Sequence, residues 1–407
     1  MVSPFDLNLR HLGAIPAIVR LGNMSAAAEA SNLSQPALTQ GLAKIERQLG
    51  VKAFERAPGG MIPTPEGRLI AARVDAAFGH LTQATRYAGR HRRGFNRPER
   101  LMTATQLRSY LALADAGSFV DAARATGWSQ PALHRAVRDL EQLFASPLVE
   151  RRGRGIALSA DGRAVARGIR LAASELAAAI AELRPDQSMT GRLVVGAMPL
   201  SRAWLLPRAI AKLLAEAPGA TMAVVEGSWS ELVEPLRDGE IDIMIGALRA
   251  EIPVGLDQQP LLEDRLAVLA RHDHPLAAAT ALTRAELARY PWIVGPVGSP
   301  IRAHWERLFA GDSPPPQPVE CGSVITIRGV LAQSDCLTLL STDQVAVEIA
   351  AGILKPLTFA DPELVRVIGL TARSDWRPTG LQQRLIEILR RTGEEATSGN
   401  RIVEQAK

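Results

Sequence analysis

The spacing of hydrophobic residues divides the chain into a helical first half and a mixed second half. Two segments carry apolar residues three and four positions apart: Ala37, Leu38, Leu42, Ile45 and Leu49 in one, and Ala132, Leu133, Val137, Leu140 and Phe144 in the other. This spacing places them on one face of an amphipathic helix. From Arg192 onward, short apolar runs alternate with helical segments. That alternation predicts an α/β fold with largely parallel sheets.

The two amphipathic helices belong to a duplicated segment. Residues 34–38 read SQPAL, and the same five letters recur 95 positions later at residues 129–133. The register is kept on both sides without a gap, as shown by the pairs Gly22 and Gly117, Glu46 and Glu141, Arg56 and Arg151, and Gly67 and Gly162. Self-similarity over about 60 residues means that one supersecondary unit occurs twice.

Each copy has the pattern of a helix-turn-helix. A serine can cap the helix, and the proline behind it occupies the first turn, where its missing N–H costs nothing. The polar face of such a helix can reach base edges and phosphates in a major groove. The candidate DNA-contacting residues are Ser34, Gln35, Pro36, Thr39, Gln40 and Lys44 in the first copy, and Ser129, Gln130, Pro131, His134, Arg135 and Arg138 in the second. The alternative is a solvated helix face, which the tandem copy disfavours.

A short hairpin, or wing, is predicted after each of these helices. In the first copy two short strands flank Pro58-Gly59-Gly60, and Arg56 is the basic candidate there. The second wing offers Arg151, Arg152 and Arg154. The first copy also has Gly41 inside its helix, at a cost of about 1 kcal/mol relative to alanine. Both contrasts favour the second copy as the stronger DNA binder.

A long helix is predicted after each wing. The second, from residue 160 to 183, has an apolar seam of Val165, Ile169, Ala172, Leu176, Ala179 and Leu183. Alternation of four and three is the spacing of a coiled-coil seam, and a seam without a partner in the chain implies a dimer. The first, ending near Ala88, has a thin seam of Leu69, Ala72, Ala76 and Leu81, interrupted by Gly79. That thin seam predicts weak packing.

The motifs around both copies resemble those of a known family. Residues 23–38, 49–50, 54–56 and 64–67 are similar to the winged helix-turn-helix of LysR-type transcriptional regulators, and residues 118–133, 147–151 and 154–159 resemble the same module again. The family pattern has one such module per chain, so the duplication leaves open which copy binds DNA. In the family, the helix after the module is a dimerisation helix.

The resemblance extends through the second half. Residues 191–196, 238–242 and 273–276 resemble the effector domain of that family, which is similar to type 2 periplasmic binding proteins. Residues 196–207 are similar to the branch that controls sugar-binding-protein and protocatechuate genes. The resemblance implies two lobes around a cleft.

Periodicity and resemblance together predict a multidomain fold: two all-α winged helix-turn-helix modules, a linker helix, and a two-lobed α/β effector domain of periplasmic-binding-protein type 2. The expected boundaries are 6–68 for the first module, 69–102 for a helix and basic linker, 103–162 for the second module, 163–187 for the dimerisation helix, 191–393 for the effector domain and 394–407 for a polar tail.

The candidate effector site is taken from loops that follow strands. In open α/β sheets, ligands bind beyond the carboxyl ends of the strands, where helix N-termini offer free N–H groups. Hydroxyls at helix starts suit a carboxylate or a sugar oxygen. The candidates are Ser201, Ser228, Trp229, Ser299, Arg302, Ser323 and Thr326. Each serine alone could be a plain helix cap, and their convergence follows from the resemblance.

Composition indicates a local cluster of positive charge and an expected cellular location. The chain has 407 residues with a net charge of +5, but six arginines crowd residues 86–100 against Glu99 alone. Such a cluster suits a phosphate backbone, although a solubilising linker is the alternative. Two cysteines, Cys321 and Cys336, imply no disulfide framework. Without a signal peptide or a membrane-spanning run, the expected location is the cytoplasm.

Catalytic and metal motifs give little support to other functions. We find no nucleophile elbow, no phosphate-binding Walker loop and no dinucleotide fingerprint. His272-Asp273-His274 lacks a third metal ligand at useful spacing, so an exposed loop is expected there. The prediction is a non-enzymatic transcriptional regulator without cofactor or metal, binding double-stranded DNA and a small-molecule effector as a homodimer or homotetramer. The alternative is a small-molecule binding protein whose N-terminal modules serve assembly only.

Overall fold

The structure, a computed structural model, describes residues 2–88, 98–152, 155–184, 189–199, 201, 203–359, 361 and 363–405. The chain forms two compact units. The N-terminal unit comprises residues 1–188 with 238–240, and the C-terminal unit comprises residues 189–237 and 241–407. Within the described residues, none of the helices has both the length and the hydrophobicity needed to span a bilayer.

The N-terminal unit contains two copies of one arrangement, here called the first head and the second head. The first head has α1 (Leu9–Leu12), α2 (Ile15–Leu21), α3 (Met24–Ala30), α4 (Gln35–Leu49), the wing strands β1 (Phe54–Ala57) and β2 (Gly60–Pro63), and the long helix α5 (Pro65–Ala88). The second head has α6 (Ala104–Ala116), α7 (Phe119–Thr126), α8 (Gln130–Phe144), β3 (Val149–Arg152), β4 (Gly155–Leu158) and the long helix α9 (Ala160–Glu182). Both predicted helix-turn-helix units and both wings are present.

The duplication extends to individual hydrogen bonds. Glu46 Oε1 accepts the backbone N–H of Ala53 at 2.9 Å, which ties α4 to the first wing. Ninety-five positions later, Glu141 Oε1 accepts the N–H of Leu148 at 2.9 Å. These bonds satisfy backbone donors at the start of each wing, so the repeat preserves a hydrogen-bonding scheme as well as an apolar pattern.

The long helix α5 is not weakly packed, and that prediction was wrong. Ala72 is exposed, and the buried positions lie on an adjacent face. They include Ile70, Val74, Ala77, Leu81, Ala84 and Ala88. Their spacing alternates between four and three, which is again a coiled-coil seam. The predicted seam was thin because it passed through Leu69, whereas the buried face of α5 passes through Ile70.

The seam of α9 has its partner within the same chain. Each of these six α5 residues lies 95 positions before a seam residue of α9, from Ile70 and Val165 to Ala88 and Leu183. The two helices pack on each other, and residues of both heads form one hydrophobic core. The prediction that this seam has no partner in the chain was therefore wrong. Tertiary packing brings the two related seams together, which periodicity within one helix could not indicate.

The C-terminal unit alternates strands and helices as predicted. Its elements are β5 (Gly191–Ala197), α10 (Leu205–Glu216), β6 (Ala220–Glu226), α11 (Trp229–Arg237), β7 (Ile243–Ala247), β8 (Leu256–Arg271), α12 (Arg284–Leu287), β9 (Trp292–Val294), α13 (Pro300–Leu308), β10 (Val319–Glu320), α14 (Val324–Leu331), β11 (Leu337–Ser341), α15 (Ala346–Ala350), β12 (Leu354–Pro356), β13 (Val365–Arg373) and α16 (Gly380–Gln405).

The strands form two lobes that share β8. The strand order is β10-β9-β11-β8-β13-β7-β5-β6, with β12 also paired to β8. In the first lobe β5 runs parallel to β6 and β7, and in the second β9 runs parallel to β10 and β11. The shared strand β8 is antiparallel to β13 in one half and to β11 in the other. Each lobe therefore has the expected parallel core, and the antiparallel strands β8 and β13 were not anticipated as a link.

The C-terminal end differs from the expected polar tail. Helix α16 continues to Gln405, well beyond Arg391. Its early turns are anchored by the buried residues Leu381, Leu385 and Leu389, which belong to the first-lobe core. The polar composition of residues 394–405 ended the predicted helix too early.

Candidate DNA-reading heads and effector cleft

Helix α4 presents a polar face with several internal hydrogen bonds. Ser34 caps the helix by accepting the N–H of Ala37 at 3.4 Å. The amide oxygen of Gln35 accepts the Ser25 hydroxyl at 2.9 Å, which links α4 to α3. Gln40 and Lys44 are exposed on the same helix. Pro36 is also exposed, and Thr39 donates to the Gln35 carbonyl at 2.9 Å.

Helix α8 presents two arginines on its polar face. Ser129 stands at its N-cap without a side-chain capping bond, and Gln130 and Pro131 follow, all three exposed. The His134 ring stacks on Phe119 of α7, with ring centres 3.6 Å apart. Arg135 and Arg138 are exposed. The second head thus offers two guanidinium groups where the corresponding positions of α4 carry Gln40 and Ala43.

The wing of the second head exposes more arginines than the wing of the first. Arg56 is exposed on β1, whereas β3 carries both Arg151 and Arg152 exposed. Arg154 lies outside the described residues, as do residues 89–97 of the arginine-rich segment. Arg100, at the end of that segment, donates to the carbonyl of Ala30 at 3.1 Å. Among the described residues of the wings and of the recognition helices α4 and α8, the second head thus exposes four arginines, Arg135, Arg138, Arg151 and Arg152, and the first head exposes Lys44, Arg47 and Arg56.

Ser201 is buried in the loop after β5. Its hydroxyl lies 3.0 Å from the carbonyl of Met198 and 3.1 Å from that of Ile245, in the middle of β7. It precedes α10 by four positions and does not cap it. Ser201 therefore ties its loop to β7, with its hydroxyl hydrogen committed to the backbone.

Ser228 already has an anionic partner. Its N–H and its hydroxyl both donate to Glu231 Oε2, each at 2.7 Å. These two hydrogen bonds hold the pKa of Glu231 below its usual range. The carboxylate of Glu231 thus occupies the donors at the start of α11 that a ligand carboxylate would use.

The second-lobe candidates are helix caps with one ion-paired arginine. Ser299 accepts the N–H of Arg302 at 3.3 Å, and Ser323 accepts the N–H of Thr326 at 3.4 Å. The Arg302 side chain is 15% exposed and pairs with Glu306 at 2.8 Å and Glu320 at 3.7 Å. Its charge is thus balanced within the protein, while Thr326 remains exposed.

Arg249 is a cleft residue that sequence reasoning missed. It follows β7 in the first lobe, and its guanidinium carbon lies 5.1 Å from the centre of the Trp229 ring. Its Nη2 lies 3.5 Å from the carbonyl oxygen of Gly298, in the second lobe. A half-buried cation therefore stands where the two lobes approach each other. The sequence did contain an indication of this residue, because Arg249 follows a parallel strand and ligands in open α/β sheets bind beyond the carboxyl ends of the strands.

His274 is not part of an exposed loop, so that expectation was wrong. The residue is 2% exposed, its Nδ1 accepts the N–H of Leu276 at 3.1 Å, and its Nε2 lies 3.2 Å from the Asp335 carbonyl. Burial lowers the pKa of His274. The neighbouring His272 and Asp273 are exposed as expected. Tertiary packing buries His274 and leaves its two polar neighbours exposed, and the sequence alone does not show which of the three is buried.

Comparison with known proteins assigns the chain to a family. Residues 9–68 and 104–163 match the bacterial regulatory helix-turn-helix protein model of the lysR family, and residues 186–394 match the LysR substrate binding domain. The HTH-type transcriptional regulator GalR of Pseudomonas putida is 33% identical over 371 residues, covering 90% of this chain and 92% of that protein. The chain belongs to the LysR family of transcriptional regulators.

Two further LysR-type relatives agree with this assignment. The regulator PcaQ of Agrobacterium fabrum is 28% identical, covering 72% of this chain and 96% of that protein. The structure of a full-length OxyR variant from Pseudomonas aeruginosa superposes with a TM-score of 0.57 at 25% identity, covering 72% of this chain and 95% of that chain.

The family assignment decides between the two predicted functions. LysR-type regulators bind DNA through the helix-turn-helix, bind small-molecule effectors through the C-terminal domain, and form oligomers. The predicted effector-responsive transcriptional regulator is therefore confirmed, together with the predicted fold class. A regulator, rather than a binding protein with modules for assembly only, describes this chain.

Proposed function

We propose that both heads contact the DNA duplex, and that the second head supplies most of the affinity. The observation that carries this proposal is the exposed pair Arg135 and Arg138 on the recognition helix of the second head. Arginine forms bidentate hydrogen bonds with guanine and charge-assisted bonds with phosphate. The wing residues Arg151, Arg152 and Arg154 would add phosphate contacts, and Arg56, Gln35, Thr39, Gln40 and Lys44 would supply those of the first head.

For the C-terminal unit we infer an effector that carries a carboxylate, such as an organic acid or a sugar acid. Arg249 and Trp229 support it, because a guanidinium beside an aromatic face can bind a carboxylate while the ring packs on the carbon skeleton. Ser299, Ser323 and Thr326 would contribute hydroxyls from the second lobe. Ser201, Ser228 and Arg302 would shape the cleft, since their polar groups are bonded within the protein.

The chain is proposed to act without catalysis, in the cytoplasm. DNA is the target of the heads, and bacterial DNA lies in that compartment. The known relatives GalR and PcaQ carry regulator names.

DNA binding is tested by its salt dependence. Retention of the full-length protein on its upstream intergenic DNA should weaken steeply with salt, because each phosphate neutralised by an arginine releases counterions. Arg151→Gln with Arg152→Gln should reduce the slope of log K against log salt by about 2. An unchanged slope would remove the second wing from the interface.

The effector site is tested by calorimetry with a panel of organic acids, sugar acids and their neutral analogues. Arg249→Gln should lower the affinity for the acid that binds by at least about tenfold, which corresponds to one charge-assisted contact. DNA binding without effector should be kept. Arg289→Gln is the matched control, because Arg289 is an exposed arginine of the second lobe. Full affinity in Arg249→Gln would show that the carboxylate is bound elsewhere.

A further inference from the structure

The long helices α5 and α9 run antiparallel. Arg73, early in α5, lies 2.8 Å from Glu175 and also pairs with Glu182, both late in α9. At the other end, Gly168 lies so close to α5 that an added Cβ would be 2.5 Å from Ala84 and 3.0 Å from the carbonyl oxygen of His80. The start of each helix therefore packs on the end of the other.

This pairing has approximate two-fold symmetry in terms of the repeat. In the repeat, Arg73 corresponds to Gly168 and Glu175 corresponds to His80. Arg73 contacts Glu175, and Gly168 likewise contacts His80. The short 3-10 turn Pro4–Asp6 packs on α9, while its counterpart Pro98–Arg100 packs on α5. The two heads are thus related as two identical subunits would be in an isologous dimer.

From this arrangement we infer that one chain is a complete pair of DNA-reading heads, and that it reads a site of two unlike half-sites. The inference rests on the proposed function, that both heads contact DNA. Paired heads bind half-sites whose symmetry mirrors that of the protein. Here the scaffold is symmetric, but the recognition residues are not.

The first three turns of the two recognition helices, α4 and α8, differ at four positions of the reading face. Thr39, Gln40, Ala43 and Lys44 of α4 correspond to His134, Arg135, Arg138 and Asp139 of α8. Glutamine pairs with adenine and arginine with guanine in the major groove. The half-site under the second head should therefore contain guanine at positions where the other half-site does not.

A buried ion-pair cluster makes the pairing of unlike helices specific. The side chains of Arg73 and Glu175 are 7% and 8% exposed. If α9 paired with α9 of another chain, Glu175 and Glu182 would face Gly168 and lose the arginine. If α5 paired with α5, Arg73 would face His80 and Tyr87 and lose both carboxylates. A buried charge without its partner is strongly unfavourable, so the cluster selects α5 against α9.

The experiment is selection of random DNA duplexes by the full-length protein, with a recognition-face exchange in each head. The first variant gives α8 the residues of α4, through His134→Thr, Arg135→Gln, Arg138→Ala and Asp139→Lys. The reciprocal variant gives α4 those of α8, through Thr39→His, Gln40→Arg, Ala43→Arg and Lys44→Asp. Most of these positions are exposed, so the exchanges should leave the core intact.

The expected wild-type result is a bipartite site with two different halves. With each exchange, only the half-site under the altered head should change, so that the two half-sites become alike. A palindromic wild-type site whose halves both change in the first variant would show that heads of two chains pair, and would overturn the inference. A site unaffected by one exchange would also overturn it, because that head would not read DNA. A wild-type protein that retains no duplex at any salt would overturn the proposed function as well.

Discussion

The two heads share a scaffold and differ in what they place on it. The bond from Glu46 to the first wing and the bond from Glu141 to the second have the same length, 2.9 Å. On their surfaces, Gln40 and Ala43 of one head correspond to Arg135 and Arg138 of the other. Groups that hold backbone donors are kept in both copies, while groups that face solvent have diverged. The copies therefore fold alike, and the inference that they read different DNA rests on the groups that have diverged.

One interior difference is also instructive. In the first head Gly41 makes room for His11, since an added Cβ would lie 2.4 Å from its ring. The second head has Gln106 and Ala136 at these positions. Gly41 therefore accommodates a ring, and its helix-propensity cost says little about the stability of the first head.

The largest effect should come from breaking the joint between the heads. Arg73→Ala leaves Glu175 buried without a partner, and we expect the free energy of unfolding of the N-terminal unit to fall by about 3–5 kcal/mol. Chemical denaturation of the full chain would measure it. Arg86→Ala, at an exposed position of the same helix, is the control and should change stability by less than about 0.5 kcal/mol. Equal effects of the two variants would mean that the cluster does not join the heads.

The next largest effect should be on DNA affinity, which variants of the two heads should lose to different extents. Arg135→Ala with Arg138→Ala should weaken binding by at least about tenfold, since each base-reading pair contributes about 1–3 kcal/mol. Gln35→Ala with Gln40→Ala in the first head should cost less, because neutral contacts are weaker than charge-assisted ones. Gel shifts at matched salt would compare them. A greater loss in the first-head variant would reverse the ranking.

Gly41→Ala tests the interior difference. Helix propensity alone predicts a gain of about 1 kcal/mol, but the clash with His11 should make the change destabilising by about 1–3 kcal/mol. His11→Gln with Gly41→Ala copies the second head and should restore stability. Thermal denaturation of both variants decides between the two signs. A stabilised Gly41→Ala would show that the His11 ring moves aside freely.

The smallest effect concerns pH. Burial, together with the positive charges of Arg10 and Lys44, lowers the pKa of His11 below 6.5. The unfolded chain therefore takes up this proton first, so the contribution to stability is complete above pH 6.5 and is lost as the pH falls through the lowered pKa. His11→Gln should show a slightly smaller drop in melting temperature on acidification than the wild type. An identical drop would mean that His11 titrates alike in both states.

The effector cleft was less predictable than the heads. The loops after strands were found from the order of strands and helices, and the serines at 299 and 323 are the helix caps that their positions indicated. Glu231 lies three positions after Ser228, the spacing of a capping box, so the sequence itself indicated that its carboxylate would occupy the donors of Ser228. Sequence could not show that Arg249 reaches Gly298, 49 positions away, because that contact depends on which loops lie beside each other.

The sequence by itself determined the features that depend on neighbours along the chain. The 95-residue repeat, the serine caps, the wings and the alternation of strands and helices all follow from short-range hydrogen bonding and periodicity. Only the tertiary structure decided that α9 pairs with α5, which replaced the expected unpartnered seam. A seam states that a helix needs an apolar partner, but it does not identify that partner. The choice depends on contacts such as Arg73 with Glu175, 102 positions apart, and these exist only once the chain is folded.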